Sequence, residues 1–377
     1  MSKTLQDYAT LINNTIQSNE INHYITTDNM CQNLGGIDTF KNINIPQGKV
    51  RSFQKDDILL SNIRLYFRKV YRAKQKGGCS SDVLVFRAKH IDSATLFAIL
   101  SSQIFTDYAC SGSQGSKMPR GNKTHMMDFK IPTINFTIAK IFNSIQNKIE
   151  NNHKINELLH KILELLYEQY FVRFDFLDEN NKPYQTSGGK MKFSKELNRL
   201  IPNGWSVRFL NHKIVSTYQP KTISKTLLND SYSYSVYGGG GIIGRFTEYN
   251  HEQSEFIISC RGQCGISYLT LPKSWITGNA MVIRPTKSYT SKTYLYHTIK
   301  KYKLTNYITG SVQPQITRQN LSTMPILIPK RKTLNKWNNI SSLLWNLIHN
   351  NMQSTQTLTA LRDFLLPLLL KQQVKPK

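Results

Sequence analysis

The sequence IAKIFNSIQNKIENNHKINELLHKILELL, Ile138–Leu166, contains no glycine and places apolar residues three and four positions apart. A second stretch of the same kind, WNNISSLLWNLIHNNMQSTQTLTALRDFL, covers Trp337–Leu365. This spacing puts the apolar side chains on one face of a helix. About 35 helical residues would span roughly 50 Å, more than an ordinary globular helix. Because neither helix can bury such a face alone, we predict that the two pack together as an antiparallel coiled pair.

Eight apolar side chains are predicted to form the core between these two helices. They are Ile145, Ile155, Leu158 and Ile162 in the first stretch and Leu344, Leu347, Leu358 and Leu361 in the second. The helical spacing assigns all of them to the buried face.

Ahead of each long stretch, the same series of patterns occurs in the same order. Two strand-like runs come first, then a helix-compatible run, a loop that begins with Gly-Ser, and a short strand ending in Ile-Pro. In the first half these are Asp57–Arg64, Gly77–Phe86, Thr95–Tyr108, Gly115–Arg120 and Ile131–Pro132. In the second half they are Phe256–Gly262, Gly278–Arg284, Lys292–Tyr307, Gly310–Gln315 and Ile328–Pro329. Self-similarity of this kind indicates a duplicated architecture.

The predicted fold class is therefore α+β, with two α/β globules in tandem, each followed by a long helix. The helices are expected to hold the globules apart in a pseudo-two-fold molecule. The predicted segments are a first globular domain 1–132, a central helical spacer 133–175, a linker 176–200, a second globular domain 201–329, a distal helical spacer 330–371 and a tail 372–377. The linker is polar and rich in turn residues, as is typical of an exposed connection.

The charge of the chain is strongly positive and unevenly distributed. Its 377 residues include 49 Lys and Arg against 23 Asp and Glu, a formal net charge of +26. Residues 1–189 carry 23 basic and 17 acidic side chains, net +6, whereas residues 190–377 carry 26 and 6, net +20. Such a field attracts a polyanion, with nucleic acid as the first candidate and an anionic membrane surface as the second. A lysine-rich proteome with solvated lysines is the alternative explanation of the charge alone.

The sequence also bears on the compartment. It contains no run of about 18 apolar residues, so no bilayer-spanning helix is expected. Residues 1–20 lack a basic segment followed by an apolar one, so no secretory signal is predicted and the cytoplasm is the expected location. Five scattered cysteines fit reduced thiols in a chain of this length. Cys260 and Cys264 lack further ligands at zinc spacing, so buried strand or turn cysteines are favoured over a metal site.

A search for catalytic motifs assigns no catalytic or metal-binding residue. The chain contains no phosphate-binding loop, zinc-protease helix motif, nucleophile elbow or Asn-Pro-Pro-Tyr box. The run Gly238–Gly241 favours a hairpin turn over a phosphate cradle. Glu248, Glu252 and Glu255 lie close together in sequence, but no Asp and Lys at workable spacing complete a nuclease site.

Nine ordered motifs resemble the specificity subunit of type I restriction-modification systems, across nearly the whole chain. They are Asp57–Arg64, Gly77–Asp82, Gly115–Gly121, Phe171–Phe174, Lys182–Met191, Ile201–Trp205, Val236–Gly244, Gly310–Ile316 and Leu361–Pro367. Each motif is short, but their order in two tandem copies is specific. The sequence departs from the family at both helix starts, Thr133–Thr137 and Lys330–Leu334, and at Tyr170, where Trp is common.

This resemblance implies two target-recognition domains, each of which reads one half of a bipartite site in double-stranded DNA. It implies that the helices fix the distance between the half-sites and dock two modification subunits, which carry S-adenosylmethionine and methylate adenine. Restriction subunits that use ATP and Mg would join through the same core. The chain itself is then expected to be non-catalytic, to hold no cofactor and to have no membrane partner.

Basic and amide side chains near the predicted loops are the candidate DNA contacts. They are Arg64, Lys69, Lys117, Arg120 and Lys123 in the first domain and Arg245, Arg261, Gln313, Gln315 and Arg318 in the second. Arginine pairs with guanine and glutamine with adenine in the major groove, whereas lysine contacts phosphates without reading sequence. Two alternatives are a stand-alone nuclease or methyltransferase with an unrecognised site and a protein that binds anionic lipid. The lipid hypothesis gives no reason for the duplication.

Overall fold

The computed structural model describes residues 3–39, 41–131, 134–229, 232–262, 264–286, 288, 290–310 and 313–369. The chain divides into two compact units. Unit 1 comprises residues 1–155 and 351–377, and unit 2 comprises residues 156–350. Some predicted features lie outside the described residues: Pro132 and Thr133 near the start of the central spacer, Ser311 and Val312 of the second Gly-Ser loop, and the tail 372–377.

Unit 1 contains two four-stranded sheets. The first has the strand order β1-β8-β5-β6 and is antiparallel, and the second has the order β2-β4-β7-β3, in which β3 and β7 run parallel. The strands are β1 (Ala9–Ile12), β2 (Thr15–Gln17), β3 (Tyr24–Ile25), β4 (Lys49–Phe53), β5 (Ile58–Ser61), β6 (Val70–Arg72), β7 (Gly77–Cys79) and β8 (Val83–Ala88). Strand β5 is buried along its whole length because both faces of its sheet are covered.

Alternate side chains of β5 and β8 enter two different apolar clusters, because successive strand residues point to opposite faces. One face packs on helices, with Leu96–Leu100 among its partners, and the other packs on the second sheet, including Phe53. The short helices of unit 1 are α1 (Leu5–Tyr8), α2 (Ser93–Leu100), α3 (Gln103–Ser111) and α4 (Lys123–Met127). Helix α2 starts after Asp92, whose carboxylate accepts a hydrogen bond from the Thr95 N–H at 2.9 Å, as N-cap residues do.

Unit 2 contains a four-stranded antiparallel sheet of order β12-β18-β15-β16, a three-stranded sheet of order β14-β13-β17, and the two-stranded pairs β9-β10, β11-β21 and β19-β20. Its strands are β9 (Met191–Ser194), β10 (Arg199–Pro202), β11 (Ser206–Phe209), β12 (Val215–Tyr218), β13 (Tyr234–Gly238), β14 (Gly241–Phe246), β15 (Phe256–Ser259), β16 (Ser267–Leu269), β17 (Trp275–Ile276), β18 (Ala280–Pro285), β19 (Ile308–Thr309), β20 (Gln315–Ile316) and β21 (Pro325–Ile328). Its short helices are α6 (Lys292–Lys300) and α7 (Arg318–Leu321). Strands β13 and β14 pair at Gly238 and Gly241, so the predicted glycine hairpin is confirmed.

The two units repeat one topology. The order β1-β8-β5-β6 of unit 1 corresponds to β12-β18-β15-β16 of unit 2, and each unit also has a parallel strand pair, β3-β7 and β13-β17. The duplicated α+β architecture predicted from the ordered motifs is thereby confirmed. A helix follows the central strands in both, α2 in unit 1 and α6 in unit 2.

One ion pair occurs at the equivalent place in both sheets. Asp57 immediately precedes β5 and lies 2.8 Å from the Arg87 Nε on β8. Glu255 immediately precedes β15 and lies 2.6 Å from an Arg284 nitrogen on β18. The Asp57 side chain is 2% exposed and that of Glu255 10% exposed. The Glu255 carboxylate, one of three that lie close together in sequence, therefore ties two strands together.

A long helix follows the last sheet element of each repeat. Helix α5 (Phe136–Tyr167) has 32 residues and continues into a π-helical turn, Glu168–Val172. Helix α8 (Arg331–Leu369) has 39 residues. Both exceed the mean helix of about 11–12 residues, as their glycine-free sequences predict.

Within each unit, α5 and α8 contact each other in antiparallel order. In unit 1, an Arg362 guanidinium nitrogen donates to the Gln146 Oε1 at 3.1 Å, and the Asn152 Nδ2 donates to the Thr355 Oγ1 at 3.2 Å. In unit 2, the ring centroids of His160 and Trp345 lie 5.0 Å apart, and those of Tyr167 and Trp337 lie 5.8 Å apart. Residue numbers rise along one helix as they fall along the other, which defines the antiparallel direction.

The predicted composition of the helical core requires a correction. Of the eight predicted residues, Ile145 is buried, Leu344 and Leu358 are half-buried, and five are exposed: Ile155, Leu158, Ile162, Leu347 and Leu361. The apolar residues of α5 occupy two faces of the helix, and the face in contact with α8 also carries the buried polar residues Gln146 and Asn152. A spacing of three and four residues does not distinguish the two faces of the helix. Most of the residues predicted as core therefore lie on the exposed face.

The segment predicted as a linker is largely exposed from residue 177 to 190 but anchored at two points. Phe176 stacks on Tyr184 and on Trp205, with centroid distances of 4.9 and 5.1 Å. Trp205 itself is buried. The aromatic residues of the Lys182–Met191 and Ile201–Trp205 motifs therefore fix the path of the chain into unit 2.

Candidate nucleic-acid interface

The end of β5 in unit 1 carries a pair of loops that brings predicted residues together. We define the first loop pair as residues 62–64 and 114–120. Ile63 and Arg120 form an isolated antiparallel bridge. The Arg64 N–H donates to the Pro119 carbonyl at 2.9 Å, and the Gly121 N–H donates to the Asn62 carbonyl at 3.1 Å.

These backbone bonds place Arg64, Lys117 and Arg120 in one cluster. An Arg64 guanidinium nitrogen lies 3.4 Å from the Lys117 carbonyl oxygen. The Arg120 side chain is 62% exposed, and its guanidinium forms a 2.9 Å ion pair with Asp82. Arg64 has a left-handed backbone with φ +50°, which turns the chain sharply after the buried strand. Three of the five predicted residues of the first domain therefore share one surface.

The other two predicted residues of the first domain stand differently. The Lys69 Nζ donates to the Thr27 carbonyl at 2.5 Å, and burial lowers the pKa of this half-buried ammonium. Lys123 is exposed at the first position of α4, whose N-cap is Asn122. Lys69 thus fixes a neighbouring loop, whereas Lys123 faces solvent.

Unit 2 carries the equivalent arrangement at the end of β15. We define the second loop pair as residues 260–262 and 310–315, of which 311 and 312 are not described. Arg261 and Gln315 form the isolated antiparallel bridge, and the Ile316 N–H donates to the Cys260 carbonyl at 3.1 Å. Gly310, like Gly115 in unit 1, has a positive φ of about the same size, +89° against +98°. A Cβ at Gly310 would lie 2.7 Å from the backbone carbonyl oxygen of Gln313, so this turn requires glycine.

A cavity of about 330 Å³ opens at the second loop pair. Its lining residues are Arg261, Gly262, Gln313, Pro314 and Gln315, so three predicted residues face one space. Arg261, Gln313 and Gln315 are exposed, and their side chains make no ion pair or hydrogen bond with the residues that the structure describes. The group offers one guanidinium and two amides, which is the chemistry that reads guanine and adenine edges.

Arg245 and Arg318 do not join this group. The Arg245 guanidinium donates to the backbone carbonyls of Tyr232 and Ser233, which ties the strand to the preceding loop. Arg318 begins α7 and lines a separate depression of about 480 Å³ together with Leu210–His212 and Val215–Thr217. Sequence order alone could not separate them, because all three arginines lie in loops or at element ends.

Three residues near the first loop pair were not among the predicted DNA contacts. Asp82 pairs with Arg120. Met118 lies in the first loop pair and Tyr66 lies two residues after Arg64, and both side chains are about half exposed. Aligning the two Gly-Ser loops by position would have found Met118, since it takes the place of Gln313. Nothing in the sequence marked Asp82 as the partner of Arg120.

The described residues show no sign of a metal site or a membrane span. The five cysteines are free thiols, and the Cys264 sulfur lies 3.1 Å from the Pro314 carbonyl oxygen. In the described part of the chain, no group of three or more His, Cys, Asp or Glu could hold a metal ion. Among the helices of the described residues, none is long and apolar enough to cross a bilayer.

Residues 202–361 match the family described as the type I restriction modification DNA specificity domain. Residues 202–361 of this chain therefore resemble a type I DNA specificity domain. The match spans the second loop pair and most of α8, and it confirms the family resemblance predicted from the ordered motifs.

Two proteins are similar to this chain over most of its length. The specificity subunit of the type I restriction enzyme MjaIX from Methanocaldococcus jannaschii is 22% identical over 312 residues, covering 73% of this chain and 67% of the relative. The crystal structure of a type I restriction-modification S subunit from M. genitalium has a TM-score of 0.63 at 15% identity, covering 98% of this chain and 96% of that one. At this identity the second likeness supports the fold alone.

Proposed function

We propose that this chain is the DNA-recognition subunit of a type I restriction-modification complex and that it reads a bipartite site in double-stranded DNA. The observation that carries the proposal is the repeated loop pair. Each unit ends its central buried strand in the same backbone bridge, and each bridge displays basic or amide side chains. Because each unit carries an equivalent DNA-contacting loop pair, we expect the chain to recognise two separate blocks of bases.

The two readers are assigned to the predicted domains, residues 1–132 and 201–329. Base reading is assigned to Arg64 and Arg120 in the first and to Arg261, Gln313 and Gln315 in the second. Lys117, Lys123 and Arg318 are assigned to phosphates, because exposed cations add affinity without sequence preference. The net charge of +20 on residues 190–377 then places more of the phosphate attraction in the second half.

The long helices are assigned to spacing and assembly. In unit 2, Leu158, Ile162 and Leu165 of α5 are about half exposed and follow a spacing of four and three residues. Leu343 and Leu347 of α8 are similarly exposed. Exposed apolar stripes of this kind indicate protein interfaces, and the occupants we propose are two modification subunits. Methylation with S-adenosylmethionine, and cleavage with ATP and Mg, are assigned to partner subunits in the cytoplasm, and this chain is assigned no catalytic step.

The decisive experiment is long-read detection of methylated adenine in the host genome, with the protein present and with it deleted. We expect a methylated motif of two short blocks separated by a fixed gap, which disappears on deletion. A motif that forms one continuous block, or methylation that is unchanged by deletion, contradicts the proposal.

A domain exchange tests the assignment of the two readers. Replacing residues 1–130 by the corresponding segment of another type I specificity subunit should change the first block and leave the second block and the gap unchanged. A change in both blocks would show that the units do not read independently.

A further inference from the structure

Unit 2 contains a cavity of about 320 Å³ whose lining includes none of the residues assigned above to base or phosphate contacts. Its walls are the segment 176–180 with Tyr184, the turn at Asn203 and Trp205, and the first two turns of α8. The aromatic rings of Phe176, Tyr184 and Trp205 form the floor that connects these elements. The volume is within the range that small ligands occupy.

The wall formed by α8 is strongly basic. Lys330, Lys332 and Lys336 line the cavity, and Arg331 lies between the first two in sequence. The first turn of this 39-residue helix contains no acidic residue. The helix dipole is positive at this end, so a cluster of cations there is unfavourable unless an anion joins it. In the described part of the chain, none of these four side chains pairs with a carboxylate.

Unused hydrogen-bond donors face the same place. Thr333 lines the cavity and is 6% exposed, yet its hydroxyl has no hydrogen-bond partner among the described residues. The N–H groups of Arg331, Lys332 and Thr333 begin the helix and likewise find no acceptor in that part of the chain. Lys330 precedes the helix and cannot cap it, because its side chain has no acceptor atom.

A glycine shapes the rim of the cavity around Lys330. Gly204 has a φ of +82°, and a Cβ on it would lie 2.5 Å from the Lys330 Cε and 3.2 Å from its Nζ. The missing side chain lets the lysine cross the turn next to Asn203 and Trp205. The Ile201–Trp205 motif thus positions a cation in addition to anchoring the chain.

The opposite wall carries acceptors. The Asp178 Oδ1 accepts hydrogen bonds from the N–H groups of Asn180 and Lys182, both at 2.8 Å, and so holds this turn. The Lys336 Nζ donates to the Leu177 carbonyl at 3.3 Å and links the two walls. Glu179 and Asn180 are exposed beside them. A ligand that fits this cavity has an anionic group next to the start of α8 and hydroxyl or amine groups next to the 178–180 turn.

We propose that this cavity binds the phosphate group of a nucleotide. The phosphate is held by the Thr333 hydroxyl, the first N–H groups of α8 and the surrounding lysines, as at other helix N-termini that bind phosphate. The acceptors of the 178–180 turn face the sugar or base. Two sources carry this chemistry, a free nucleotide and the backbone of a nucleic acid.

The test is isothermal titration calorimetry on the purified full chain. The probes are adenosine 5′-monophosphate, adenosine, inorganic phosphate and a 20-base-pair duplex of arbitrary sequence. We expect saturable binding of a phosphate-bearing probe and none of adenosine. Thr333→Val keeps the shape of the side chain and should weaken that binding about tenfold, since one charge-assisted hydrogen bond is lost. The double variant Lys332→Ala/Lys336→Ala should abolish it, and Lys303→Ala, an exposed lysine of the same unit, should leave it unchanged.

The outcomes separate the sources and can overturn the site. Binding of the monophosphate that Thr333→Val weakens identifies a free nucleotide, and binding of the duplex alone with the same sensitivity identifies the backbone. Failure of every phosphate probe to bind, or binding insensitive to both sets of variants, overturns the proposal. A chain that binds the monophosphate but directs no bipartite methylation would retain this site and lose the proposed function.

Discussion

The two loop pairs share a backbone and differ in chemistry. In unit 1 the bridge joins Ile63 to Arg120, whose guanidinium is already paired with Asp82. In unit 2 the bridge joins Arg261 to Gln315, and no carboxylate of the described residues pairs with Arg261. The same turn presents Met118 in one unit and Gln313 in the other. The sheet and its turn therefore supply a constant frame, and a few side chains on it decide what each unit can contact.

That difference separates two ways of contacting DNA. An unpaired arginine with two amides can form hydrogen bonds with base edges. An arginine held by a carboxylate, beside an exposed methionine and tyrosine, offers fewer free donors and more apolar surface. We therefore expect unit 2 to discriminate bases more by hydrogen bonding than unit 1 does.

The largest expected effect is on stability, and it tests whether the equivalent ion pairs contribute equally to the two sheets. Asp57→Ala removes a carboxylate that is 2% exposed and accepts hydrogen bonds from Arg87 and from the Gln54 N–H, so it should destabilise unit 1 by about 3 kcal/mol. Glu255→Ala should cost unit 2 less, about 2 kcal/mol, because the Arg284 side chain is nearly half exposed and regains water. Hydrogen-exchange mass spectrometry on the full chain would measure opening of each unit separately. Opening that spreads equally over both units would contradict the assignment.

The next effect concerns the bases. Arg261→Ala should lower discrimination in the second block by about 2 kcal/mol and leave the first block unchanged. Arg120→Ala should cost less discrimination in the first block, because its guanidinium is shared with Asp82. Competition binding of the assembled complex to duplexes with single-base changes would measure both. An equal loss for the two variants would remove the proposed difference between the units.

The smallest effect distinguishes the units by pH. Burial among aromatic rings lowers the pKa of His297 in unit 2 to about 3. Burial also lowers the pKa of the half-buried His23 of unit 1. Because the unfolded chain takes up a proton near pH 6.5 and the folded chain does not, stability is retained above that pH and lost below it. Between pH 7 and 5.5 unit 2 should lose about 1 kcal/mol through His297.

The control for this effect is His297→Phe, which replaces one ring by another between Tyr167 and Trp337. The variant should have a flatter dependence of unit 2 exchange on pH. A pH dependence unchanged by the substitution would assign the effect to other groups.

The order of helices and strands could be predicted well from the sequence, because each element is marked by a pattern of neighbouring residues. Glycine-bounded strands, a glycine-free helix and a repeated Gly-Ser loop each depend on residues close in sequence. Their duplication led to the correct architecture and to loops that meet, as Arg261 and Gln315 do. The prediction needed no knowledge of packing.

The sequence predicted less well what depends on packing between distant elements. Leu158 and Ile162 follow the same helical spacing as buried residues, and only the position of α8 shows that they lie on another face. Arg245 carries the same charge as Arg261 but is used by two backbone carbonyls. Whether an arginine is available to contact DNA depends on the groups packed around it. Residue type and spacing in the sequence do not show those groups.

The division of the chain between the units has a consequence for synthesis. Unit 1 needs residues from both ends of the chain, since Leu366 packs in the cluster that contains Phe97 and Phe142, and Arg362 bonds to Gln146. Unit 2 is continuous. At about 5–20 residues per second, the ribosome takes roughly 10–40 s to pass from the end of the first segment to the start of the last. The unit translated first is therefore completed last, and its exposed apolar surface has to stay unaggregated until α8 emerges.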